Sequence, residues 1–442
     1  MDTEKRKSLS TFQIIIMGFA GIILLGAFLL MLPIASQDNR ITGFGDALFT
    51  ATSAVCVTGL VVQDTATYWS YFGQAVILGL IQIGGMGVIT VAASLALLAG
   101  KKISFSQRSI MQEALSAPQV GGIVRLTRFV VLGTILFEIA GAIIMMPIFC
   151  KDFGIKGIWM AVFHSISAFC NAGFDLLGVN AQYSSLISYA FHPIINITIM
   201  SLIIIGGIGF LTWSDIVTHR HHIREYRMQS KVILITTICL IIIPAIYFYC
   251  FEFSEFAFGD RILASLFQAI TPRTAGFNTV DFAIISEAGI GIIILLMLIG
   301  GSPGSTAGGM KTTTIAVLFA NAKAVFRRKN ETDLFGRRVA DDTIKTAATI
   351  LILYVTLFFC GGVFISLIEG LPMITCLFET ASAIGTVGLT LGITSKLGIV
   401  SRIILIILMF FGRVGGLTLI FAAVSGTSRN LSKLPQEKIT VG

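Results

Sequence analysis

A short pattern that recurs four times constrains the fold of this chain more than any other sequence feature. Each copy has a phenylalanine, then mostly small and hydroxyl-bearing residues, then a glycine nine or ten positions after the phenylalanine. The four pairs are Phe49 with Gly59, Phe163 with Gly173, Phe267 with Gly276, and Phe378 with Gly388. Because the glycines are 103 to 114 residues apart in a chain of 442 residues, we infer four tandem structural units.

Each copy of the pattern lies between two long apolar runs. The upstream runs cover residues 12–35, 127–149, 231–251 and 343–368, and the downstream runs cover residues 71–99, 187–213, 284–320 and 397–424. A helix of about 20 residues crosses the hydrocarbon core of a bilayer, so each run is long enough to span it. Only 12% of the residues are charged, about half of the share in soluble domains, which excludes a soluble globular protein.

The segments between the paired runs are too short to cross a membrane. Segments such as 45–55 and 157–169 contain roughly a dozen residues and lead into a glycine-centred turn. Non-helical backbone at membrane depth is tolerated only inside protein or beside a water-filled cavity, because an unpaired peptide group is costly in lipid. These segments are therefore predicted to be re-entrant half-helices whose turns share one lipid-free axis.

The predicted fold is an all-α membrane protein of four tandem helix, pore-helix, helix repeats around one pseudo-fourfold pore. It contains eight transmembrane helices and four re-entrant pore helices. The predicted repeats cover residues 1–100, 101–222, 223–330 and 331–442, and the second helix of the third repeat is interrupted.

Basic residues are concentrated at the two ends of the chain and between the repeats. They are Lys5, Arg6, Lys7, Lys101, Lys102, Arg108, Arg125, Arg128, Arg220, Arg224, Arg227, Lys231, Lys323, Arg327, Arg328, Lys329, Arg337, Arg338, Lys345, Arg429, Lys433 and Lys438. Because cytoplasmic loops of membrane proteins are enriched in Lys and Arg, both termini are predicted to be cytoplasmic and the turns to enter from outside.

The predicted outer loops are mildly acidic. Their acidic residues are Asp64, Asp175, Glu252, Glu255, Asp281 and Glu287. These residues either form a negative vestibule that concentrates cations or belong to hydrated polar linkers, and the sequence leaves both interpretations open.

The glycine turns suit the binding of a dehydrated cation. Glycine adopts backbone angles closed to other residues, so successive carbonyl oxygens can point at an axis, where rings of them can replace the hydration shell of potassium. The half-helix C-termini, which carry partial negative charge, also favour a cation. The predicted filter residues are Val57, Thr58, Gly59, Asn171, Ala172, Gly173, Thr274, Ala275, Gly276, Thr386, Val387 and Gly388. Glycine in membrane helices also allows helices to pack closely. That alternative role explains the presence of glycine in all four turns poorly.

The second helix of the third repeat is broken by a run that contains five glycines and one proline. The run comprises Gly300, Gly301, Ser302, Pro303, Gly304, Ser305, Thr306, Ala307, Gly308, Gly309, Met310 and Lys311. Such a segment cannot remain a regular helix. It is not a phosphate-binding loop, because Lys311 comes one residue too late for that motif and no strand precedes it. Gly84, Gly85, Gly206 and Gly207 mark the corresponding points of two other second helices.

Besides Lys311, a second cationic residue is predicted to lie at the membrane depth of the interrupted run. Arg413 belongs to the last apolar run, where a charge costs at least ~2.5 kcal/mol and therefore requires a compensating partner. A structural link between helices is the alternative role of this arginine. Arg273, next to Pro272, is expected to brace the third turn.

These motifs resemble the superfamily of Trk, Ktr and HKT potassium transporters, and in particular the membrane subunit of bacterial Ktr-type systems. The resemblance covers essentially the whole chain and rests on residues 274–278 and 386–390 together with the broken helix. It implies that residues 300–311 form a gating loop under the filter and that Arg413 contacts this loop. Gly59 favours potassium, because members that prefer sodium tend to carry serine there. The turns differ from the TVGYG of tetrameric potassium channels, so the resemblance implies looser selectivity.

The resemblance also implies partners and a location. It implies a homodimer with one pore per protomer in the cell membrane. It further implies a cytosolic ring of nucleotide-binding regulatory subunits, of the KtrA or KtrC type, docked on the basic loops and the C-terminal segment. The transported ion would be potassium, with sodium as a second possibility, and no covalently bound cofactor or nucleic acid is expected.

Two other functions remain open at this point. The first is a sodium-permeable or sodium-coupled transporter of the same fold. The second is a secondary transporter of a small solute, although such proteins more commonly show an inverted or twofold repeat. An enzyme is not expected, because no cluster of nucleophile, base and metal ligands occurs on any predicted span.

Overall fold

The computed structural model describes residues 10–98, 103–114, 119, 121–179, 181–416 and 418. These residues form sixteen α-helices and one short β-hairpin. Eight of the basic residues used to orient the chain lie outside the described part. They are Lys5, Arg6, Lys7, Lys101, Lys102, Arg429, Lys433 and Lys438.

The helices fall into four units of similar design, each with a long helix, a half-helix and a second helix. The first two units contain α1 (Thr11–Met31), α2 (Phe44–Val55), α3 (Tyr71–Met86), α4 (Val88–Leu98), α5 (Phe105–Ala114), α6 (Ile123–Phe153), α7 (Lys156–Phe169), α8 (Pro193–Gly207) and α9 (Phe210–His219). The last two contain α10 (Met228–Tyr247), α11 (Phe258–Ile270), α12 (Glu287–Leu298), α13 (Thr312–Phe326), the hairpin β1 (Asp333–Leu334) and β2 (Arg337–Arg338), α14 (Asp341–Glu369), α15 (Met373–Gly385) and α16 (Ile399–Val414).

The long helices α1, α6, α10 and α14 are each apolar enough and long enough to cross a membrane. Their outward faces carry large apolar side chains that are at least 60% exposed, such as Leu25, Leu136, Ile243 and Leu367. In a membrane protein such a surface faces lipid tails. The multi-pass helical architecture expected from the apolar runs is therefore confirmed.

The second helices are broken in the first two units as well as in the third. The pair α3 and α4 is bent by 96° and the pair α8 and α9 by 97°. Gly87 (φ 85°) and Gly209 (φ 91°) lie at these breaks, and Gly415 (φ 91°) follows α16. Glycine reaches these angles without steric cost and so ends each helix there. The breaks follow the glycine pairs that the sequence marked.

The four units close into a circle. The long helix of each unit packs on its own half-helix: α1 on α2, α6 on α7, α10 on α11 and α14 on α15. The second helix packs on the half-helix of the next unit: α3 on α7, α8 on α11, α12 on α15 and α16 on α2. An ion pair of 2.7 Å between Asp46 of α2 and Arg402 of α16 joins the first unit to the last. The half-helices thus occupy the centre, and their four repeated phenylalanines are at most 1% exposed.

Several outer acidic residues hold loops together. The carboxylate of Asp64 is 7% exposed and accepts hydrogen bonds from the N–H groups of Ala66 (3.0 Å) and Tyr183 (2.9 Å). Glu252 accepts the N–H of Ser286 (2.9 Å). Asp175 accepts the N–H of Leu177 (3.0 Å). Burial raises the pKa of the Asp175 carboxyl group to about 7, and this hydrogen bond partly offsets the increase. These three carboxylates therefore support loop structure rather than forming a freely hydrated vestibule.

The packing of the half-helices gives a testable prediction for stability. Gly157 is the second residue of α7, and a Cβ atom there would overlap the carbonyl group of Phe149 in α6. We expect Gly157→Ala to destabilise the fold by about 1–3 kcal/mol through overpacking. The measurement is the melting temperature of the purified protein in detergent.

Gly45 provides the matched control, because it is the second residue of α2 and a Cβ atom there would meet nothing within 4 Å. Gly45→Ala should leave the melting temperature unchanged or raise it slightly, since alanine favours helix more than glycine does. Equal melting temperatures for the two variants would contradict the tight packing of α7 on α6.

Candidate functional site

The four turns that follow the half-helices share one backbone conformation. Each has a residue with positive φ, and two positions later a glycine with positive φ. The first positions are Val57 (56°), Asn171 (59°), Thr274 (68°) and Thr386 (52°), and the glycines are Gly59 (92°), Gly173 (70°), Gly276 (75°) and Gly388 (98°). Positive φ is uncommon for residues other than glycine, so its occurrence at all four first positions indicates that the turns are built alike.

Backbone N–H groups of the turns point back into the half-helices. The middle residue of each turn donates to a carbonyl four or five positions earlier: Thr58 to Ser53 (2.8 Å), Ala172 to Ser167 (2.8 Å), Ala275 to Thr271 (3.0 Å) and Val387 to Ser382 (2.8 Å). Within the described part of the chain, none of the twelve carbonyl oxygens of residues 57–59, 171–173, 274–276 and 386–388 accepts a hydrogen bond. A buried carbonyl without a hydrogen-bond donor is costly. These oxygens therefore need a partner from outside the protein, such as a cation or water.

The four turns touch in sequence and form a closed circle, here called the turn ring. A Cβ atom added at each turn glycine would lie no more than 2.8 Å from a carbonyl oxygen of the next turn. These pairs are Gly59 with Ala172, Gly173 with Ala275, Gly276 with Val387, and Gly388 with Thr58. Because the fourth turn contacts the first, all twelve predicted filter residues lie around one axis.

Further oxygen atoms of the turn ring lack partners. The buried side-chain oxygens of Thr58, Thr274 and Thr386, and Oδ1 of Asn171, have no hydrogen-bond partner among the described residues. Orphaned buried oxygens of this kind fit a cation ligand, because hard alkali and alkaline-earth cations are bound by oxygen. The ring offers no comparable set of donors for an anion, since its middle amides are used by the half-helices.

The 300–311 loop is anchored to the break between α8 and α9. The loop closes on itself where the N–H of Gly300 donates to the carbonyl of Met310 (2.7 Å). Ser302 donates its N–H to Gly207 (3.0 Å), and Phe210 donates its N–H to Gly304 (2.7 Å). The glycine break of the second unit and the loop of the third are therefore one hydrogen-bonded structure.

The same loop lies directly against the turn ring. Nδ2 of Asn171 donates to Oγ1 of Thr306 (2.8 Å). A Cβ atom at Gly308 would overlap the side chain of Thr386, and Gly309 donates its N–H to the carbonyl of Gly412 in α16 (3.1 Å). The loop thus crosses from the second turn to the fourth.

Two cations are bound by carbonyl oxygens at this loop. The guanidinium of Arg413 donates to the carbonyls of Thr306 and Gly84, and to that of Gly85 (3.0 Å). Nζ of Lys311 donates to the carbonyl of Ala307 (2.8 Å). Neither cation forms an ion pair within the described residues. Arg413 therefore ties the loop of the third unit to the first and fourth units.

A cavity of about 420 Å³ lies next to the loop. Its lining includes Ser305, Lys311, Arg413 and, as its one acidic residue, Glu113. None of the twelve turn-ring residues lines it. The loop therefore contacts both this cavity and the turn ring.

Sequence reasoning missed several residues of this region. The residues that directly follow the repeated phenylalanines, Thr50, His164, Gln268 and Glu379, are all polar and at most 1% exposed. Alignment of the four repeats would have revealed them, because a polar residue occurs at the same position of each otherwise apolar half-helix. The Asn171 to Thr306 bond has no such signal, because the residues are 135 positions apart. Arg273, expected to brace the third turn, lies with its Nη2 atom 3.5 Å from Oγ1 of Thr237 in α10.

Comparison with known proteins places the chain in a family. The family model for TrkH, described as a cation transport protein, matches residues 2–433. The chain is 38% identical to the potassium/sodium uptake protein NtpJ of Enterococcus hirae, over 100% of this chain and 99% of that protein. It is also 38% identical to the Ktr system potassium uptake protein B of Bacillus subtilis, over 97% of this chain and 96% of that protein.

A second Ktr protein and a solved structure agree with this assignment. Identity to the Ktr system potassium uptake protein B of Vibrio alginolyticus is 34%, over 97% of this chain and 94% of that protein. The crystal structure of the potassium transporter TrkH from Vibrio parahaemolyticus has the same fold, with a TM-score of 0.75 at 19% identity, over 96% of this chain and 87% of that one. The expectation of a transporter rather than an enzyme is confirmed, and the chain belongs to the TrkH family of cation transport proteins.

Proposed function

We propose that this protein takes up potassium ions through the turn ring. The observation that carries the proposal is the closed circle of four turns, whose twelve carbonyl oxygens accept no hydrogen bond within the described residues. A potassium ion that enters such a ring exchanges its hydration shell for carbonyl oxygens. The relatives in Bacillus subtilis and Vibrio alginolyticus are both named as potassium uptake proteins, which supports the same ion here.

Sodium is the second candidate ion. The Enterococcus hirae relative is named as a potassium/sodium uptake protein. Glycine rather than serine at position 59 favours potassium in this chain. A transporter of a small organic solute is disfavoured, because the four turns touch one another in a closed circle whose free oxygen atoms fit a small cation.

The 300–311 loop is proposed to be the gate. It touches the second and fourth turns on one side and lines the neighbouring cavity on the other. An ion that leaves the ring toward that cavity meets this loop, so conduction requires the loop to move. Arg413 is proposed to stabilise the closed position through its bonds to Thr306, Gly84 and Gly85. Movement of the ion then follows the electrochemical gradient, which is worth about 2.3 kcal/mol per charge per 100 mV.

We also propose a homodimer in the cell membrane with both termini in the cytoplasm, and a cytosolic nucleotide-binding ring as partner. The name of the Bacillus subtilis relative, which refers to a system, supports a partner subunit. Most basic residues of the chain lie at the ends of the units, and this distribution supports an orientation with both termini in the cytoplasm. Arg224 and Arg328, for example, are exposed in the connections between units and available to a partner.

Substitution at the first turn tests the proposed filter. Ser at position 59 would need φ near 92° and would press its Cβ atom to 2.5 Å from the carbonyl oxygen of Ala172. Such overpacking costs about 1–3 kcal/mol. We expect Gly59→Ser to lower potassium uptake by about tenfold or more and to raise the ratio of sodium to potassium flux, measured in a strain deficient in potassium uptake.

Gly154→Ser is the control, because Gly154 also has positive φ (61°) but a Cβ atom there would meet nothing within 4 Å. It carries similar backbone strain outside the ring and should retain potassium uptake at equal expression. An unchanged sodium to potassium ratio in Gly59→Ser would contradict the filter assignment.

Removal of Arg413 tests the proposed gate. Hydrogen bonds to a charged group are worth roughly 1.5–3 kcal/mol each, and Arg413→Ala deletes those that tie the loop to α3 and α16. We expect the closed position to lose stability and ion flux to rise by about tenfold or more, measured in proteoliposomes without a regulatory subunit.

Arg261→Ala is the matched control, because the Arg261 guanidinium also donates to a backbone carbonyl, that of Tyr249 (2.7 Å), and lies over the Tyr249 ring instead of bonding to the 300–311 loop. Its flux should equal that of the parent protein. Normal expression of Arg413→Ala with unchanged flux would refute the gate.

A further inference from the structure

Asn171 makes a contact that the equivalent residues of the other turns do not make. These equivalent residues are Val57, Thr274 and Thr386, the first positions of the other turns. Valine has no polar atom, and the hydroxyls of the two threonines have no hydrogen-bond partner among the described residues. Asn171 alone among the four donates a side-chain hydrogen bond to the 300–311 loop, through Nδ2 to Oγ1 of Thr306 at 2.8 Å.

Thr306 is fully buried and all of its polar groups are engaged. Its hydroxyl accepts from Asn171 and donates to the carbonyl of Phe169 (3.0 Å), the last residue of α7. Its N–H donates to Gly206 (3.2 Å), and its carbonyl accepts from Arg413. The loop therefore cannot move away at Thr306 without breaking the bond to Asn171.

The backbone of Asn171 is part of the turn ring. Asn171 has φ 59°, a conformation that asparagine tolerates better than most residues. Its own N–H is bonded to Ala168 (3.1 Å), so the side-chain bond to Thr306 is the tie between this turn and the loop. Whether that bond is present thus influences the position of a turn whose three carbonyl oxygens accept no hydrogen bond among the described residues.

We propose that the Asn171–Thr306 hydrogen bond couples ion binding in the turn ring to the position of the loop. With the loop closed, the bond holds the second turn in the geometry that binds the cation tightly. When the loop leaves, the turn loses this tie and binds the ion less tightly, which favours release into the cavity. By thermodynamic reciprocity, an ion in the ring stabilises the closed loop to the same extent. Asn171 is on this account a positioning residue, and the inference rests on the proposed function.

Equilibrium ion binding tests the coupling, because it does not depend on flux. The probe is potassium chloride, titrated calorimetrically into the purified full-length protein in detergent with a large organic cation as the background salt. Asn171→Gly removes the side chain and accepts the positive φ, whereas Thr306→Val removes the hydroxyl and keeps the shape. Asn171→Gly should weaken potassium binding by about two- to tenfold, the value of one neutral hydrogen bond. Thr306→Val, which also removes the hydrogen bond to Phe169, should weaken it at least as much.

Two combinations separate coupling from local damage. The double variant Asn171→Gly with Thr306→Val should bind potassium no more weakly than Thr306→Val alone, because Thr306→Val already removes the bond that Asn171→Gly removes. Arg413→Ala, which alters the loop without contacting the turn ring, should also weaken potassium binding. Adding Asn171→Gly to Arg413→Ala should have a smaller effect than Asn171→Gly alone.

Two further variants serve as controls. Thr306→Ser keeps the hydroxyl and should restore the potassium affinity that Thr306→Val loses. Thr134→Val removes a buried hydroxyl of α6 that has no hydrogen-bond partner among the described residues, and it should leave potassium affinity unchanged.

The outcomes are distinguishable. If the parent protein binds potassium but Asn171→Gly and Thr306→Val bind it equally well, the coupling is refuted and the proposed function stands. Fully additive effects of the two substitutions, or unchanged binding in Arg413→Ala, would also refute the coupling. If the parent protein itself binds no potassium, the proposed function fails together with the inference.

Discussion

Close approach of each turn glycine to a carbonyl of the next turn is the constraint on which the rest of the structure depends. A side chain at Gly59, Gly173, Gly276 or Gly388 would occupy the space of the neighbouring backbone. Because the circle closes, the four half-helices must converge with their C-terminal ends inward. The long helices then surround them and face lipid, and the second helices fill the space between units. The peptide groups that leave helical geometry are therefore kept inside protein, as the membrane requires.

The loop beneath the ring is held by a different principle, in which cations are satisfied by carbonyl dipoles rather than by carboxylates. Arg413 and Lys311 bind only backbone oxygens in this region. Such bonds compensate the charge but hold the side chain less firmly than a buried ion pair does. Breaking a buried ion pair destabilises a protein by several kcal/mol. If the loop is the proposed gate, it benefits from contacts that other carbonyls or water can replace when it moves. The loop also joins elements of all four units, so its position reflects the whole assembly.

The sequence predicted the four units, the half-helices and the turns because each depends on local chemistry that repeats. Glycine at fixed distances from a phenylalanine indicates the turns, and apolar runs indicate the spans. The sequence located the bends at Gly87 and Gly209 only to within a few residues. Neighbouring glycines allow the same backbone angles, and only tertiary contacts decide which of them adopts the bend. Contacts between distant residues had no local signal: Arg402 pairs with Asp46 across 356 positions, and Arg413 binds Gly84 across 329. The buried polar residues of the half-helices, such as Glu379, were visible only after alignment of the repeats.

Anomalous scattering from crystals grown in rubidium chloride tests the central claim most directly, because rubidium resembles potassium in size and charge and can be located without reference to the protein density. The account predicts anomalous peaks on the axis of the turn ring, surrounded by backbone oxygens of residues 57–59, 171–173, 274–276 and 386–388. Peaks confined to the outer loops, or none within the ring at saturating rubidium, would contradict it.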